Sequence, residues 1–431
     1  MVIKMNQKKF VASIYLYLGK AVRGLLDKTV ISEEPEKLAL DYSNNNADEL
    51  IIFDMSKGDE EHEQAISTIK RIIEAVEIPV LAAGNVRRFE DVKKLLYAGC
   101  QKAGLNYAKD SNIDLTEEVS KRFGREKIFA CIDCAEQIER PRQVLKEYVS
   151  ELVLMDASQA KECMAATELP LILPMADAMP DAIAVILSKE EVDGIYGDVV
   201  NHNARDINAM KAFCSEQGIL TNGFDAKITW EELVKNSDGL VPVVVQDYKT
   251  KEVLMVAYMN QLAFETTIKT GRMNYYSRSR KAQWVKGETS GHFQFVKSLT
   301  ADCDKDTILA KVSQIGAACH TGNHSCFFQE IVKRDCIDTD PLKVFEAVYQ
   351  VILDRKVHPK EGSYTNYLFD KGIDKILKKL GEEATEIVIA AKNPDKEEIK
   401  YEISDFLYHM MVLMAEKDVS WEEITRELAR R

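Results

Sequence analysis

The sequence lacks any apolar segment long enough to cross a membrane. No apolar run approaches the roughly 18 residues of a membrane-spanning helix, and the first residues do not form a signal-peptide pattern. Nine cysteines occur among 431 residues without the spacing of a disulfide framework. These absences predict a cytoplasmic protein with no membrane partner.

The chain also lacks an excess of positive charge, low-complexity tracts and short-period repeats. Lysine and arginine number 57 against 70 aspartates and glutamates, which gives a formal net charge of -13 at pH 7. This acidic balance argues against non-specific binding of nucleic acid and is compatible with a metabolic enzyme. A chain of 431 residues has room for about three domains.

Residue types that bind metals are concentrated between positions 302 and 326. Three aspartates alternate along the chain, and three cysteines follow one another at spacings of 16 and 7 residues. They are Asp302, Asp304 and Asp306, and Cys303, Cys319 and Cys326. Thiolates favour zinc and carboxylates favour magnesium. Three thiolates leave one zinc position open for water, as in a catalytic site, but His320 or His324 could close a structural site instead.

Three motifs surround this segment: YYSRSR at 275–280, WVKGETSG at 284–291 and ACHTGNHSCF at 318–327. Together with the aspartate run, they resemble the phosphoribosyl-AMP cyclohydrolases of histidine biosynthesis. The resemblance implies an α+β domain over residues 222–335, in which the three cysteines hold Zn2+ and the three aspartates hold Mg2+.

The same resemblance implies a reaction. Such enzymes open an adenine ring between N1 and C6, in a substrate that carries phosphoribose on N1. Zinc lowers the pKa of bound water towards about 7, which makes hydroxide available at neutral pH. His320 is predicted to shuttle a proton or to orient a ligand. The predicted substrate-binding residues are Arg278, Arg280, Lys286, Gly287 and Ser290, although a solvated strand edge would also explain the two arginines.

The pattern becomes helical over residues 340–431. Apolar residues recur at intervals of three and four along two helices. Glu383 and Glu386 share one flank of the first helix, and Glu402 and Asp405 share one flank of the second. Helices joined by a short loop, here 393–395, usually pack antiparallel. The four carboxylates could therefore converge on magnesium, although solvated helix flanks are the commoner explanation of such pairs.

These carboxylates lie in the segments GEEATE at 381–386 and EISDFLYH at 402–409. The two segments, with SYT at 363–365, resemble phosphoribosyl-ATP pyrophosphohydrolases, which are all-α enzymes that use Mg2+ to split a triphosphate. The resemblance makes the four carboxylates both metal ligands and catalytic groups, and it implies phosphoribosyl nucleotide substrates. One reaction would supply the substrate of the other. Both resemblances imply a homodimer with sites at or near the subunit interface.

Two alternatives stay open on the sequence alone. One is a triphosphatase that removes unwanted nucleotides, joined to an unrelated zinc hydrolase. The other is a non-catalytic binding protein, in which zinc is structural and the carboxylates are solvated.

The first 220 residues alternate strand-like apolar runs with helical stretches. Eight such runs predict a (β/α)8-like barrel. They are 12–16, 50–53, 79–83, 102–105, 128–132, 152–155, 171–173 and 194–196. The segments DELIIFD at 48–54 and IPVLAAGNVR at 78–87 are similar to the barrels of the histidine pathway, namely the ProFAR isomerase and the cyclase subunit of imidazole glycerol phosphate synthase.

This first region departs from those barrels where chemistry is expected. Tyr15 stands where they carry a catalytic aspartate on strand one, and AAGN at 82–85 replaces a glycine run that would cradle phosphate. Asp133 could match an aspartate on strand five. The pair Cys131 and Cys134 is better explained by packing than by redox chemistry. We therefore predict a degenerate barrel that serves as scaffold, regulator or dimerisation module, with linkers at 218–229 and 332–341.

Overall fold

The computed structural model describes residues 7–202, 206–334, 340–394 and 396–429. The chain divides into two compact units, Met1–Gln329 and Glu330–Arg431. Among the helices in these described ranges, none is long and apolar enough to cross a membrane. Within the predicted linker 332–341, residues 335–339 lie outside the described residues, as does Asp395 of the predicted loop 393–395.

The first unit begins with a closed barrel. Its strands are β1 (Lys9–Tyr17), β2 (Lys20–Val22), β3 (Val30–Ser32), β4 (Glu49–Asp54), β5 (Val80–Ala83), β6 (Lys102–Asn106), β7 (Ile128–Ile132), β8 (Glu151–Leu154), β9 (Leu171–Pro174) and β10 (Val192–Tyr196). β1 and β4 to β10 pair in parallel in chain order, and β10 pairs with β1 to close the sheet. β2 and β3 extend the sheet as an antiparallel hairpin. The predicted eight-stranded barrel is confirmed.

Helices cover the outside of the barrel. They are α1 (Pro35–Asn44), α2 (Asp59–Ala75), α3 (Phe89–Tyr97), α4 (Asp110–Phe123), α5 (Glu136–Glu139), α6 (Arg142–Tyr148), α7 (Ala160–Ala166), α8 (Pro180–Leu187), α9 (Asp198–Asn201) and α10 (Ile207–Glu216). Strands that are packed on both faces have continuous apolar sequences, because neither face is exposed to water. Every residue of β5 and β7 is buried accordingly.

Charged residues meet at the amino ends of the barrel strands. Lys9 Nζ lies 2.9 Å from Glu49 Oε1, 3.4 Å from Glu151 Oε2 and 3.0 Å from Asp193 Oδ2. Burial alone would lower the pKa of Lys9, but the three carboxylates hold it above its usual range. This network therefore lies at the end of the barrel opposite to the one where barrel enzymes carry their active sites.

The central region is an α+β domain, as predicted. It contains β11 (Val241–Asp247), β12 (Val253–Met259), α11 (Gln261–Thr270), β13 (Asn274–Ser277), β14 (Ala282–Val285), β15 (Gln294–Ala301) and β16 (Ile308–Gln314). Four strands form a sheet in the order β12-β11-β16-β15, and β13 and β14 form a separate hairpin. Residues of β11 alternate between buried and half-buried, because only one face of the sheet meets the core.

Barrel and central domain lie in one compact unit, and part of the predicted linker 218–229 packs on the barrel. The amide of Lys8 donates to Leu220 O at 2.8 Å. The buried Lys211 Nζ donates to Asn222 O at 3.1 Å and to Asp48 Oδ1 at 2.6 Å. The domain boundary between residues 220 and 222 therefore stays a prediction.

The second unit is helical, as predicted. Its helices are α12 (Pro341–Val357), α13 (Tyr364–Lys371), α14 (Ile373–Ala390), α15 (Lys396–Glu416) and α16 (Trp421–Ala429). Their apolar faces share a core that includes Ile352, Leu368, Ile376 and Val412. His409 on α15 lies 3.7 Å from Glu383 on α14, while Glu402, two turns earlier on α15, interacts with Glu386, further along α14. The two helices therefore run antiparallel.

Candidate active sites

The three aspartates of the central domain occupy the turn between β15 and β16. One carboxylate oxygen from each lies within 4.8 Å of the other two, and all three residues are exposed. Asp302 Oδ1 accepts hydrogen bonds from the amides of Asp306 at 3.0 Å and Thr307 at 3.1 Å, which fixes the turn. Exposed oxygen ligands suit magnesium, which usually keeps several waters.

A cavity of about 450 Å³ opens beside this turn. Ala301 and Ile308, which flank the aspartates, line it together with Phe224 and Phe264. Pockets of this size and largely apolar character accept small ligands.

Two of the three cysteines lie together, beyond the end of β16. Cys319 and Cys326 share a hydrogen bond, and Thr321 Oγ1 lies 3.0 Å from Cys319 Sγ. The amide of Cys326 donates to Leu254 O on β12 at 2.7 Å, which anchors the segment to the sheet. The hydrogen bond from Thr321 lowers the pKa of Cys319, whereas burial raises the pKa of Cys326.

The third cysteine is distant from this pair. Cys303 lies in the aspartate turn at one end of β16, and Cys319 follows the other end. A strand of seven residues spans about 20 Å. Among the described residues, no cysteine belongs to a group of three potential ligands within 4.8 Å of one another. One copy of the chain therefore brings together two of the predicted zinc ligands.

Both histidines near the thiol pair are exposed. His320 adjoins Cys319 in the chain, and His324 Nδ1 lies 3.0 Å from Glu252 Oε2. The contact with Glu252 uses only Nδ1 of His324 and leaves its Nε2 able to bind a metal, while His320 adjoins the thiol pair and can exchange protons.

Lys286 lies beside the thiol pair. It is 7% exposed and interacts electrostatically with Cys326 and Cys319, and burial lowers its pKa. Its neighbour Gly287 has φ of +92°, and a Cβ there would lie 2.5 Å from the amide nitrogen of Phe293. Glycine is therefore required at this position.

The other predicted substrate-binding residues are exposed. Ser290 Oγ accepts a hydrogen bond from the amide of His292 at 3.2 Å. The guanidinium of Arg278 lies 3.9 Å from the ring centroid of Tyr258, and that of Arg280 lies 6.0 Å from Trp284. Because the guanidinium of Arg278 stacks through its face, its N–H groups lie at the edge of the planar group, where they can bind phosphate.

The helical unit brings its four predicted carboxylates together in one chain. Glu383, Glu402 and Asp405 each offer an oxygen within 4.8 Å of the other two. Hydrogen bonding to Glu383 and the nearby charge of Glu402 raise the pKa of Glu386. Carboxylates this close repel one another unless a cation or a proton lies between them. The donor set therefore fits magnesium.

Three neighbouring side chains complete this carboxylate cluster. Lys379 Nζ lies 3.1 Å from Glu383 Oε1. His409 Nδ1 donates to Asp405 O at 2.8 Å, and its Nε2 lies 3.1 Å from Tyr364 Oη. Tyr364 was not among the predicted site residues, although it belongs to the SYT motif at 363–365.

Aromatic side chains fill the barrel near the carboxyl ends of its strands. The ring of Tyr15 stacks on Phe53 at 5.1 Å, and Phe53 lies 6.0 Å from Tyr196. Tyr196 Oη donates to Leu154 O at 2.7 Å. Asp133 is exposed, and its amide donates to the side chain of Gln137.

The two cysteines on this strand differ in burial. Cys131 is buried in the barrel interior, which raises its pKa to about 12, whereas Cys134 is half-buried. A thiol with so high a pKa is rarely the reactive thiolate.

Three family models match parts of the chain. They describe a phosphoribosyl-AMP cyclohydrolase at residues 255–328, a phosphoribosyl-ATP pyrophosphohydrolase at 345–431 and a histidine biosynthesis protein at 10–175.

Similar curated proteins include two named histidine biosynthesis bifunctional protein HisIE. The protein from Thermoanaerobacter pseudethanolicus is 54% identical over 210 residues, which is 46% of this chain and 97% of that protein. The one from Bacillus subtilis is 47% identical over 201 residues, which is 47% of this chain and 95% of that protein. These alignments span nearly all of each relative and leave more than half of this chain outside them.

Proposed function

This chain belongs to the family of the histidine biosynthesis bifunctional proteins HisIE, and from that premise we propose two successive hydrolyses. The helical unit converts phosphoribosyl-ATP to phosphoribosyl-AMP and pyrophosphate. The central domain then opens the adenine ring between N1 and C6. The proposal rests on one observation. Each domain that a family model matches contains a cluster of metal-binding side chains suited to its reaction.

In the helical unit, Glu383, Glu386, Glu402 and Asp405 would hold magnesium. Magnesium held there would supply positive charge next to the triphosphate. Lys379 already neutralises part of the cluster and can turn towards an incoming phosphate. His409 Nδ1 on α15 also lies 3.7 Å from Glu383 Oε1 on α14, a contact that joins the two helices beside the carboxylates.

In the central domain, Cys319 and Cys326 would hold zinc together with Cys303 of a second copy. Zinc supplies a hydroxide at neutral pH when bound. A second copy is proposed because Cys303 and Cys319 lie beyond opposite ends of β16 within one chain, and a strand of this length spans about 20 Å. Lys286 binds substrate next to the thiol pair, and His320 exchanges a proton with solvent at the same place.

The aspartate turn would contribute magnesium to the same composite site. Asp302, Asp304 and Asp306 adjoin Cys303, so a second copy that supplies Cys303 brings the three carboxylates with it. The eight cysteines that the structure describes are all free, which suits thiolate ligands in a reducing cytoplasm.

Turnover of phosphoribosyl-ATP by the purified full-length chain tests this proposal. We expect pyrophosphate release, ring opening and about one zinc per chain. A triphosphatase of broader range would release pyrophosphate from other nucleotides and leave the ring closed. If a zinc-loaded dimer showed neither activity, the remaining interpretation would be a non-catalytic binding protein.

For the barrel, we propose a supporting role without the isomerase or cyclase reaction of similar barrels. Burial raises the pKa of Tyr15 to about 12, so the phenol is a poor general base where an aspartate would be needed. Its stacking on Phe53 also occupies space that a substrate would need. The full-length chain should fail to restore growth without histidine in strains lacking either enzyme. Growth of either strain without histidine would show that the barrel contains a third active site.

A further inference from the structure

Arg272 joins the barrel to the central domain. Its Nη2 donates to Asn45 Oδ1 at 2.6 Å. Asn45 ends α1, is 2% exposed and is itself fixed, because its Nδ2 donates to Asp41 O at 2.8 Å and to Asp41 Oδ1 at 3.0 Å. The barrel therefore presents a rigid acceptor to the guanidinium.

The residues before Arg272 are also held by the barrel. Asn208 Nδ2, on α10, donates to Thr270 O at 3.2 Å. Gly271 adopts φ of +69°, and a Cβ there would lie 2.4 Å from Asn208 Nδ2. The chain from 270 to 272 thus passes closely over the barrel surface.

On its other side, Arg272 contacts residues that position Lys286. Its guanidinium lies 5.1 Å from the ring of Phe293 and 5.5 Å from that of Phe295. The amide nitrogen of Phe293 is the atom that leaves no room for a Cβ on Gly287. The carbonyl of Met273, next to Arg272, accepts the amide of Lys286 at 3.0 Å. The Lys286–Gly287 segment is therefore in contact with Met273, which adjoins Arg272 in the chain, and with Phe293, whose ring contacts the Arg272 guanidinium.

We infer that Arg272 is a positioning residue, through which the barrel holds Lys286 beside the thiol pair. The inference rests on the proposed ring-opening reaction and gives the barrel a specific part in it. A side chain displaced by about 1 Å can lower kcat/KM by a large factor, so a fixed anchor on the barrel affects how well Lys286 binds substrate.

A second barrel contact provides a matched control. Glu77 lies 2.8 Å from Lys297 Nζ and 3.3 Å from Lys249 Nζ, and these lysines belong to the central domain. Glu77→Gln therefore weakens docking of the two domains at a contact that Arg272 and Asn45 do not make.

The test is steady-state kinetics on full-length Arg272→Met, Arg272→Lys, Asn45→Ala, Glu77→Gln and the double variant Asn45→Ala/Arg272→Met. Arg272→Met keeps the stem over Phe293, and Arg272→Lys keeps a cationic donor. We expect kcat/KM for supplied phosphoribosyl-AMP to fall about tenfold in Arg272→Met and Asn45→Ala, mainly through KM, because Lys286 binds substrate. The double variant should be no worse than Arg272→Met. Arg272→Lys should recover only part of the loss, because lysine keeps a cationic donor but lacks the planar group that stacks on the rings. Glu77→Gln should stay within about twofold of the wild type.

Pyrophosphate release and melting temperature, measured on the same preparations, separate positioning from unfolding. Equal losses in Glu77→Gln and Arg272→Met, additive losses in the double variant, or losses that follow the melting temperature would overturn the inference. If the wild-type chain opens the ring and Asn45→Ala does so equally well, this inference fails while the proposed function stands. If the wild type does not open the ring, the proposed function fails first.

Discussion

The helical unit and the central domain assemble their candidate metal sites in different ways. In the helical unit, one chain brings Glu383, Glu402 and Asp405 within reach of a single ion. In the central domain, one chain brings together Cys319 and Cys326 and leaves Cys303 at the far end of β16. Within one copy, the first candidate site brings three carboxylates together, and the second brings together two of its three predicted thiolates.

The difference follows from the elements that carry the ligands. Residues three apart on a helix lie on one face, and two antiparallel helices place four such residues opposite one another. A strand instead separates its two ends by about 3.3 Å for each residue. The proposed function therefore draws Cys303 from a second copy of the chain.

The largest expected effect is the loss of ring opening when a cysteine is removed. Cys303→Ser, Cys319→Ser and Cys326→Ser should each lower ring opening at least about 100-fold, because every thiolate is needed to hold the metal. Pyrophosphate release should persist, since it depends on other helices. Zinc content and both activities are measured on each purified variant.

Mixing two of these variants tests whether the site is shared. If Cys303 of one copy joins Cys319 and Cys326 of another, dissociated and reassembled mixtures of Cys303→Ser and Cys319→Ser chains regain about a quarter of wild-type ring opening, because half of the dimers contain one intact site of two. No recovery from a mixture that forms dimers would mean that each site is built within one chain.

A similarly large effect is expected in the helical unit, without such recovery. Glu386→Gln or Asp405→Asn should lower pyrophosphate release at least about 100-fold while ring opening of supplied phosphoribosyl-AMP persists, because the amide keeps the shape and loses the charge that binds magnesium. Two-substrate kinetics check this, and mixing the two variants should restore little. Parallel loss of both activities would indicate damage to the fold instead.

An intermediate effect is expected at Gly287. Gly287→Ala should lower ring opening about tenfold, because the new Cβ would clash with the Phe293 backbone beside Lys286. Gly291→Ala is the matched control: its φ of +74° carries a similar backbone cost, but a Cβ there meets nothing within 4 Å. Similar kinetics for the two variants would show that backbone strain, rather than the clash, is responsible.

The smallest effect concerns stability without metal. Glu386 adds a like charge beside Glu383 and Glu402, so Glu386→Gln should raise the melting temperature of the metal-free helical unit by about 2 °C. Magnesium should stabilise the wild type more than the variant. Calorimetry with chelator and with magnesium measures both. A variant that melts lower in chelator would show that the carboxylates do not repel one another in the empty cluster.

The sequence predicted the elements because their signals are local. Apolar runs such as 50–53 and 128–132 appear as β4 and β7, since strands buried on both faces leave a continuous pattern. The spacing from Glu383 to Glu386 and from Glu402 to Asp405 placed each pair on one helix face. The motifs around Cys319 and Lys286 predicted a phosphoribosyl-AMP cyclohydrolase, and the family model over residues 255–328 matches that prediction.

Only the tertiary structure decided how distant segments meet. Nothing in the spacing of Cys303 and Cys319 shows that a full strand separates them, and the contact between Asn45 and Arg272 joins positions far apart in the chain. The aromatic packing of Tyr15 against Phe53 also depends on strand register. The periodicity of a sequence reports which side of an element faces the core. The distance between two elements depends instead on how all the elements pack together, and no local pattern records it.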